Sequence, residues 1–119
     1  MRFANRGGRM QLVVAGGTID LAQASGNRLP SDPLACLDVW DDTVRWAGGT
    51  ADTDGTEPTG ALLAPVPQPR QAVGIALNYR THVGESNFTA PEEPSAFTKF
   101  PSCIAGPGSD IPIASGTVD

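Results

Sequence analysis

Hydrophobic and polar positions change their period twice along the 119-residue chain. Over the first thirty residues, short apolar runs are interrupted by glycine pairs. Met1–Ala4 and Arg9–Ala15 predict two strands, with Asn5-Arg6-Gly7-Gly8 turning the chain between them. Gly16-Gly17 reverses it again into a third strand, Thr18–Ala24. Glycines at both reversals supply the positive φ angles that tight hairpins need. Val13 and Val14 are adjacent, which breaks strict alternation and predicts a central strand partly covered on both faces.

The period then becomes helical. Ser31, Asp32 and Pro33 place a capping hydroxyl, an early acid and an early proline together, so a helix is expected to open at Ser31. Leu34, Leu37, Trp40, Val44 and Ala47 recur at spacings of three and four, predicting one helix ended by Gly48-Gly49. Trp40 and Cys36 are expected in the core, packed across the meander. Residues 48–70 read as a linker. Asp52, Asp54 and Gly55 do not make a calcium loop, because the closing Glu position is Ala61. Pro65, Pro67 and Pro69 alternate, which predicts a stiff, extended seam.

Beyond the seam, Gln71–Leu77 and Ser95–Phe100 predict strands, 80–86 a brief helix, 101–110 a loop and Ile111–Ala114 one more strand. Strands this few and short cannot enclose a core unaided, so the second domain is expected to be cut short. The class is α+β. An N-terminal α+β domain of a three-stranded meander plus one helix is assigned to 1–64, a proline-rich linker to 65–70, and the start of a β-rich domain to 71–119.

Composition adds a thin core to this picture: 14 Gly and 11 Pro against only 25 Leu, Ile, Val and Phe residues. The net charge of −5, with seven arginines and one lysine in no run, excludes a nucleic-acid binder, which needs a basic stripe. No apolar stretch approaches membrane-spanning length. Cys36 and Cys103 form no paired motif and no secretion signal precedes them, so a reducing cytoplasm is expected.

Familiar catalytic signatures are missing: no nucleophile elbow, no P-loop, no dinucleotide fingerprint and no H-E-x-x-H. The one histidine, His82, is followed three residues later by Glu85. On a helix that spacing puts both on one face, where a carboxylate can orient an imidazole and raise its basicity. An incidental surface pair has the same spacing, and on these residues alone both readings stand. Lys99 is equally open, as a solvent-facing strand-end cation or a substrate contact.

The run Ala72–Ser86, with Asn78-Tyr79-Arg80-Thr81-His82-Val83-Gly84-Glu85 at its centre, resembles the N-Y-x-x-H-x-x-E segment that opens the catalytic domain of the fumarylacetoacetate hydrolase family. The resemblance continues in register through Pro91-Glu92-Glu93-Pro94, Phe97-Thr98-Lys99-Phe100-Pro101-Ser102, Gly106-Pro107 and Gly116-Thr117-Val118-Asp119. It implies that His82 and Glu85 are a water-activating catalytic dyad on a lid segment. By the same resemblance Lys99 is a substrate-binding lysine, while Asn78 and Tyr79 fix the turn. It further implies magnesium- or manganese-assisted C–C bond hydrolysis of a β-diketo or acylpyruvate-type acid in aromatic-compound catabolism, by a homodimer.

Isomerisation, hydration or decarboxylation of 2-oxo-heptenedioate-type acids is the alternative implied by related members. A non-catalytic fragment is the alternative from another class. Three departures stand out. Thr81 replaces a usual aspartate, and Ala76 a usual glycine. The family's metal carboxylates begin with a Glu-x-Glu just after the Val118-Asp119 equivalent, so the metal ligands are expected to be absent from this chain. The 119 residues alone are therefore expected to be inactive or nearly so.

Overall fold

A computed structural model of the chain describes residues 1–76 and 93–112. Its first strand, β1 (Arg2–Arg6), pairs antiparallel with β2 (Arg9–Val14). Asn5 and Arg6 were expected in the turn, but they pair with Met10 and Arg9. Gly7 and Gly8, at φ +57° and +82°, make the whole reversal, as a two-residue hairpin of primed type requires. The third strand is also shorter than expected. β3 (Gly17–Asp20) pairs with β2, and the chain then enters a single helical turn, α1 (Leu21–Ala24). Asp20 ends the strand by capping the helix: its Oδ1 accepts from the Gln23 backbone N–H at 2.9 Å.

A further strand was not expected at all. β4 (Leu62–Leu63), inside the stretch read as linker, pairs antiparallel with β1 and gives a four-stranded sheet of order β3-β2-β1-β4. Asn5 fixes this edge, since its buried Nδ2 donates to the Ala64 carbonyl at 2.8 Å. Gly106 runs close beside β4, where an added Cβ would meet the Leu62 oxygen and Leu63 Cα at 3.2 Å.

The single helix expected from Ser31 is two helices, α2 (Pro33–Asp38) and α3 (Trp40–Thr50), joined at Val39 with φ −119° and ψ 39°. Asp32, not Ser31, is the cap, accepting from the Ala35 N–H at 2.8 Å with Pro33 in the first turn. At the break the buried Thr43 hydroxyl donates to the Cys36 carbonyl at 3.3 Å. The change of direction puts Cys36, Thr43 and Ala47 inward. Leu37 and Trp40 turn outward, at 41% and 39% exposure. Cys36 is a core residue as expected, whereas Trp40 is not. Its ring lies half-exposed against Phe3, centroids 5.2 Å apart and tilted by 59°. The core under the sheet consists of Met10, Leu12, Leu21, Leu29, Cys36 and Ala47, flanked by Phe3, Val14, Ile19 and Trp46. Gly48-Gly49 does not stop α3, which runs on to Thr50.

These elements, with the described residues from Ala105 onward, form one compact unit. The described residues between Gln68 and Ile104 form a second. It holds an antiparallel pair, β5 (Ala72–Ala76) and β6 (Ser95–Lys99), followed by a 3₁₀ turn at Pro101–Cys103. The expected helix over 80–86 lies outside the described residues. So does half of the expected strand Ile111–Ala114, while Ile111 and Pro112 carry no regular structure.

Candidate functional site

The β5–β6 pair carries Lys99, and its register decides what surrounds that side chain. Ala72 pairs with Lys99, Gly74 with Phe97 and Ala76 with Ser95. Because side chains alternate across a sheet, these six residues share one face. Val73, Ile75, Ala96 and Thr98 share the other. On the Lys99 face, β5 offers only small residues, so the Phe97 ring reaches across from β6 and lies over Gly74. A Cβ built on Gly74 would fall 2.5 Å from Phe97 Cζ and under 3 Å from both flanking ring carbons. The Lys99 ammonium stands 5.8 Å from the centroid of the same ring, within the range of a cation–π contact. Lys99 and Phe97 are both exposed, so cation and ring face outward together.

Such a face can hold a carboxylate against the ammonium and an apolar or conjugated carbon chain against the ring. Sequence reasoning singled out Lys99 but gave Phe97 and Gly74 no role. The signal was present in the alternation Ala72-x-Gly74-x-Ala76 opposite Phe97-x-Lys99, and it needed the register to be legible.

His82, Glu85, Asn78 and Tyr79 lie outside the described residues. In the sequence they fall between Ala76 and Ser95, and those two residues are paired partners. Lys99 is four residues further along β6, roughly 14 Å from that end at the usual strand rise.

The N-terminal unit contains a polar cleft of about 310 Å³ lined by Arg6, Arg9, Gln11, Asp20 and Glu57 among others. Its central charges satisfy each other. Arg9 Nε donates to Asp20 Oδ2 at 2.6 Å, and the Arg9 terminal nitrogen donates to Oδ1 at 3.0 Å. The bond to Arg9, rather than burial, sets the direction for Asp20, whose carboxyl is held below its ordinary value. Gln11 is likewise occupied, accepting from the Thr18 hydroxyl at 2.6 Å.

Among the described residues no group of three or more His, Cys, Asp or Glu side chains could hold a metal ion. Glu93 and Asp110, the acids nearest the second unit's strands in sequence among the described residues, are exposed and far apart along the chain. The described residues therefore do not fit the divalent cation that the resemblance implies.

Comparison with known proteins gives several matches. The chain is 32% identical over 107 residues to "Oxaloacetate tautomerase fahd2, mitochondrial" of Xenopus laevis, covering 87% of this chain and 33% of that protein. It is 28% identical over 118 residues to "Fumarylacetoacetate hydrolase domain-containing protein 2 homolog" of Dictyostelium discoideum, covering 93% of this chain and 38% of that protein. A crystal structure described as an HpcE protein from Mycobacterium smegmatis superposes with a TM-score of 0.88 at 38% identity, over 98% of this chain and 42% of that chain. No family model matches. The chain spans about a third of the length of the curated relatives it matches. The α+β class read from the sequence is the class observed, and it matches part of the fold of that solved neighbour.

Proposed function

Because the chain belongs, over the part of the length it spans, to the fumarylacetoacetate hydrolase family, we propose that the protein catalyses enol chemistry on a small 2-oxo acid. The relatives named above include an enzyme named for tautomerising oxaloacetate, which supports a proton transfer at the carbon beside the keto group. The observation that carries the reading is the outward-facing Lys99 ammonium beside the Phe97 ring. It is a cation and an apolar floor side by side, suited to an acid with a short unsaturated chain.

In this reading the His82 imidazole, oriented by Glu85, takes a proton from the carbon α to the carbonyl. The electron pair moves onto the carbonyl oxygen, which is protonated to give the enol; the reverse transfer regenerates the ketone. Lys99 holds the carboxylate, so the charge that develops on the adjacent oxygen forms near a fixed cation.

Hydrolytic C–C cleavage of an acylpyruvate-type acid is the second reading, implied by the sequence resemblance. There the same dyad delivers water to the distal carbonyl, and the bond breaks to leave a pyruvate enolate. Isomerisation of a 2-oxo-heptenedioate-type acid needs only the proton transfer. A small oxo-acid as the binding partner, a homodimer and a cytoplasmic location belong to the same proposal. No helix among the described residues is long and apolar enough to cross a membrane.

The deciding experiment follows two substrates with the protein purified as its gene expresses it, in magnesium buffer. Loss of the enol absorbance of oxaloacetate without change in total oxaloacetate marks a tautomerase. Release of pyruvate from acetylpyruvate marks a hydrolase. Neither activity, in folded protein that carries the family's metal carboxylates, would refute the proposal; the 119 residues alone are expected to show neither.

A further inference from the structure

We propose that Phe97 is the positioning residue for Lys99 and that Gly74 is glycine so that Phe97 can occupy that place; the functional part of this inference rests on the reading of Lys99 as a substrate contact. Phe97 is 47% exposed, so its ring is not buried as core. The far end of the ring reaches across the strand pair to the one position of β5 that has no side chain, with Phe97 and Gly74 as direct register partners. An aromatic ring covering a glycine on the neighbouring strand is a recognised way of pinning register. Here the ring is also the floor beneath a cation two residues further along the same face.

A lysine on a four-carbon stem at the end of a strand samples many rotamers, and the negative face of a ring favours those that bring the ammonium above it. Any side chain at Gly74 would displace the ring, because three ring carbons lie within 3 Å of the Cβ position. Gly74 thus acts on Lys99 at one remove. Glycine weakens a strand through its backbone freedom, and at this position the cost is offset by the packing of Phe97 over it.

The test uses the fact that Lys99 is the only lysine of the chain. Selective ¹³C labelling of lysine therefore gives one side-chain spin system. In the unsubstituted protein the Lys99 methylene protons nearest the ammonium are expected upfield, shifted by the ring. Phe97→Leu is expected to return them to random-coil positions, and Phe97→Tyr to keep them shifted. Gly74→Ala is expected to abolish the shift although Lys99 and Phe97 are both retained. Val73→Ala, on the opposite face, is expected to leave it unchanged. A Lys99 shift that survives Phe97→Leu or Gly74→Ala overturns the inference. Should Gly74→Ala open the strand pair, Phe97→Leu carries the same expectation without burdening the backbone.

With oxaloacetate as substrate, Phe97→Leu and Gly74→Ala are expected to raise KM about 2–5-fold, the scale of one exposed cation–π contact, with kcat little changed. Phe97→Tyr is expected to restore KM. If the unsubstituted protein turns over no oxaloacetate, the proposed function loses its tautomerase form, while the lysine spectrum still decides the positioning role.

Discussion

The Arg9 guanidinium grips the Asp20 carboxylate side-on, Nε to Oδ2 at 2.6 Å and the terminal nitrogen to Oδ1 at 3.0 Å. The same carboxylate caps α1, so one side chain closes the sheet edge and opens the helix. Two effects can be separated by substitution. Asp20→Asn keeps a capping oxygen and loses the charge, whereas Asp20→Ala loses both. The alanine variant is expected to be less stable than the asparagine variant by about 1 kcal/mol, the usual worth of a cap. Urea unfolding followed by tryptophan fluorescence measures this, because Trp40 and Trp46 both lie in α3.

The same residue sets a pH dependence. Its carboxyl is held below the ordinary range first by the Arg9 hydrogen bond. The folded state thus binds the proton less readily than the unfolded chain, and stability rises with pH across that interval. The stabilisation is complete above the ordinary carboxylate range and is lost as pH falls through the lowered folded value. The urea midpoint of the unsubstituted protein should therefore converge on that of Asp20→Asn as the solution is acidified. A gap that stayed constant with pH would show that the ion pair adds nothing.

Gly17 and Gly55 allow the loop before Thr56 to lie directly on β3. A Cβ at Gly17 would sit 1.9 Å from the Thr56 oxygen, and one at Gly55 would sit 2.7 Å from Gly17 C and Thr18 N. That approach permits the paired bonds between Thr18 and Thr56, at 2.9 and 3.0 Å. Gly17→Ala and Gly55→Ala should each cost about 2–3 kcal/mol, as overpacking against backbone does. Gly49→Ala meets nothing within 4 Å and lies in α3. It should stabilise by about 0.5–1 kcal/mol through helix propensity. The three unfolding midpoints, compared with the parent, test both directions.

The two thiols should react at very different rates. Cys36 is fully buried, its Sγ donates to the Pro30 carbonyl at 3.2 Å, and burial pushes its pKa up to about 11. Cys103 is exposed. A thiol-disulfide reagent at neutral pH should modify one cysteine rapidly and the second only with unfolding, since the thiolate is the reactive form. Rapid reaction of both in native protein would contradict the placement of α2.

The legible parts of the fold are those where local chemistry suffices. Paired glycines announce the β1–β2 hairpin, and the apolar run ending near Ala76 announces β5. The break at Val39 was not legible, because the helical spacing of Leu34, Leu37, Trp40, Val44 and Ala47 is unbroken. At the break the buried Thr43 hydroxyl donates to the Cys36 carbonyl seven residues back, a bond that apolar spacing does not report. β4 was invisible because two residues have no period; it exists through β1 and the Asn5 bond to Ala64. At the candidate site, Lys99 was found through resemblance. The Gly74–Phe97 packing that surrounds it required knowing which residues are register partners. His82 and Glu85 rest on sequence and resemblance.

The central claim is that His82 moves the substrate's proton while the strand pair holds the acid through Lys99. Stopped-flow decay of enol-oxaloacetate absorbance, with His82→Ala against unsubstituted protein in magnesium buffer, tests it most directly. The account predicts at least a ~100-fold lower kcat, the scale of a lost general base. A His82→Ala protein that turns over at near the parent rate would contradict it and leave His82 and Glu85 as an ordinary polar pair.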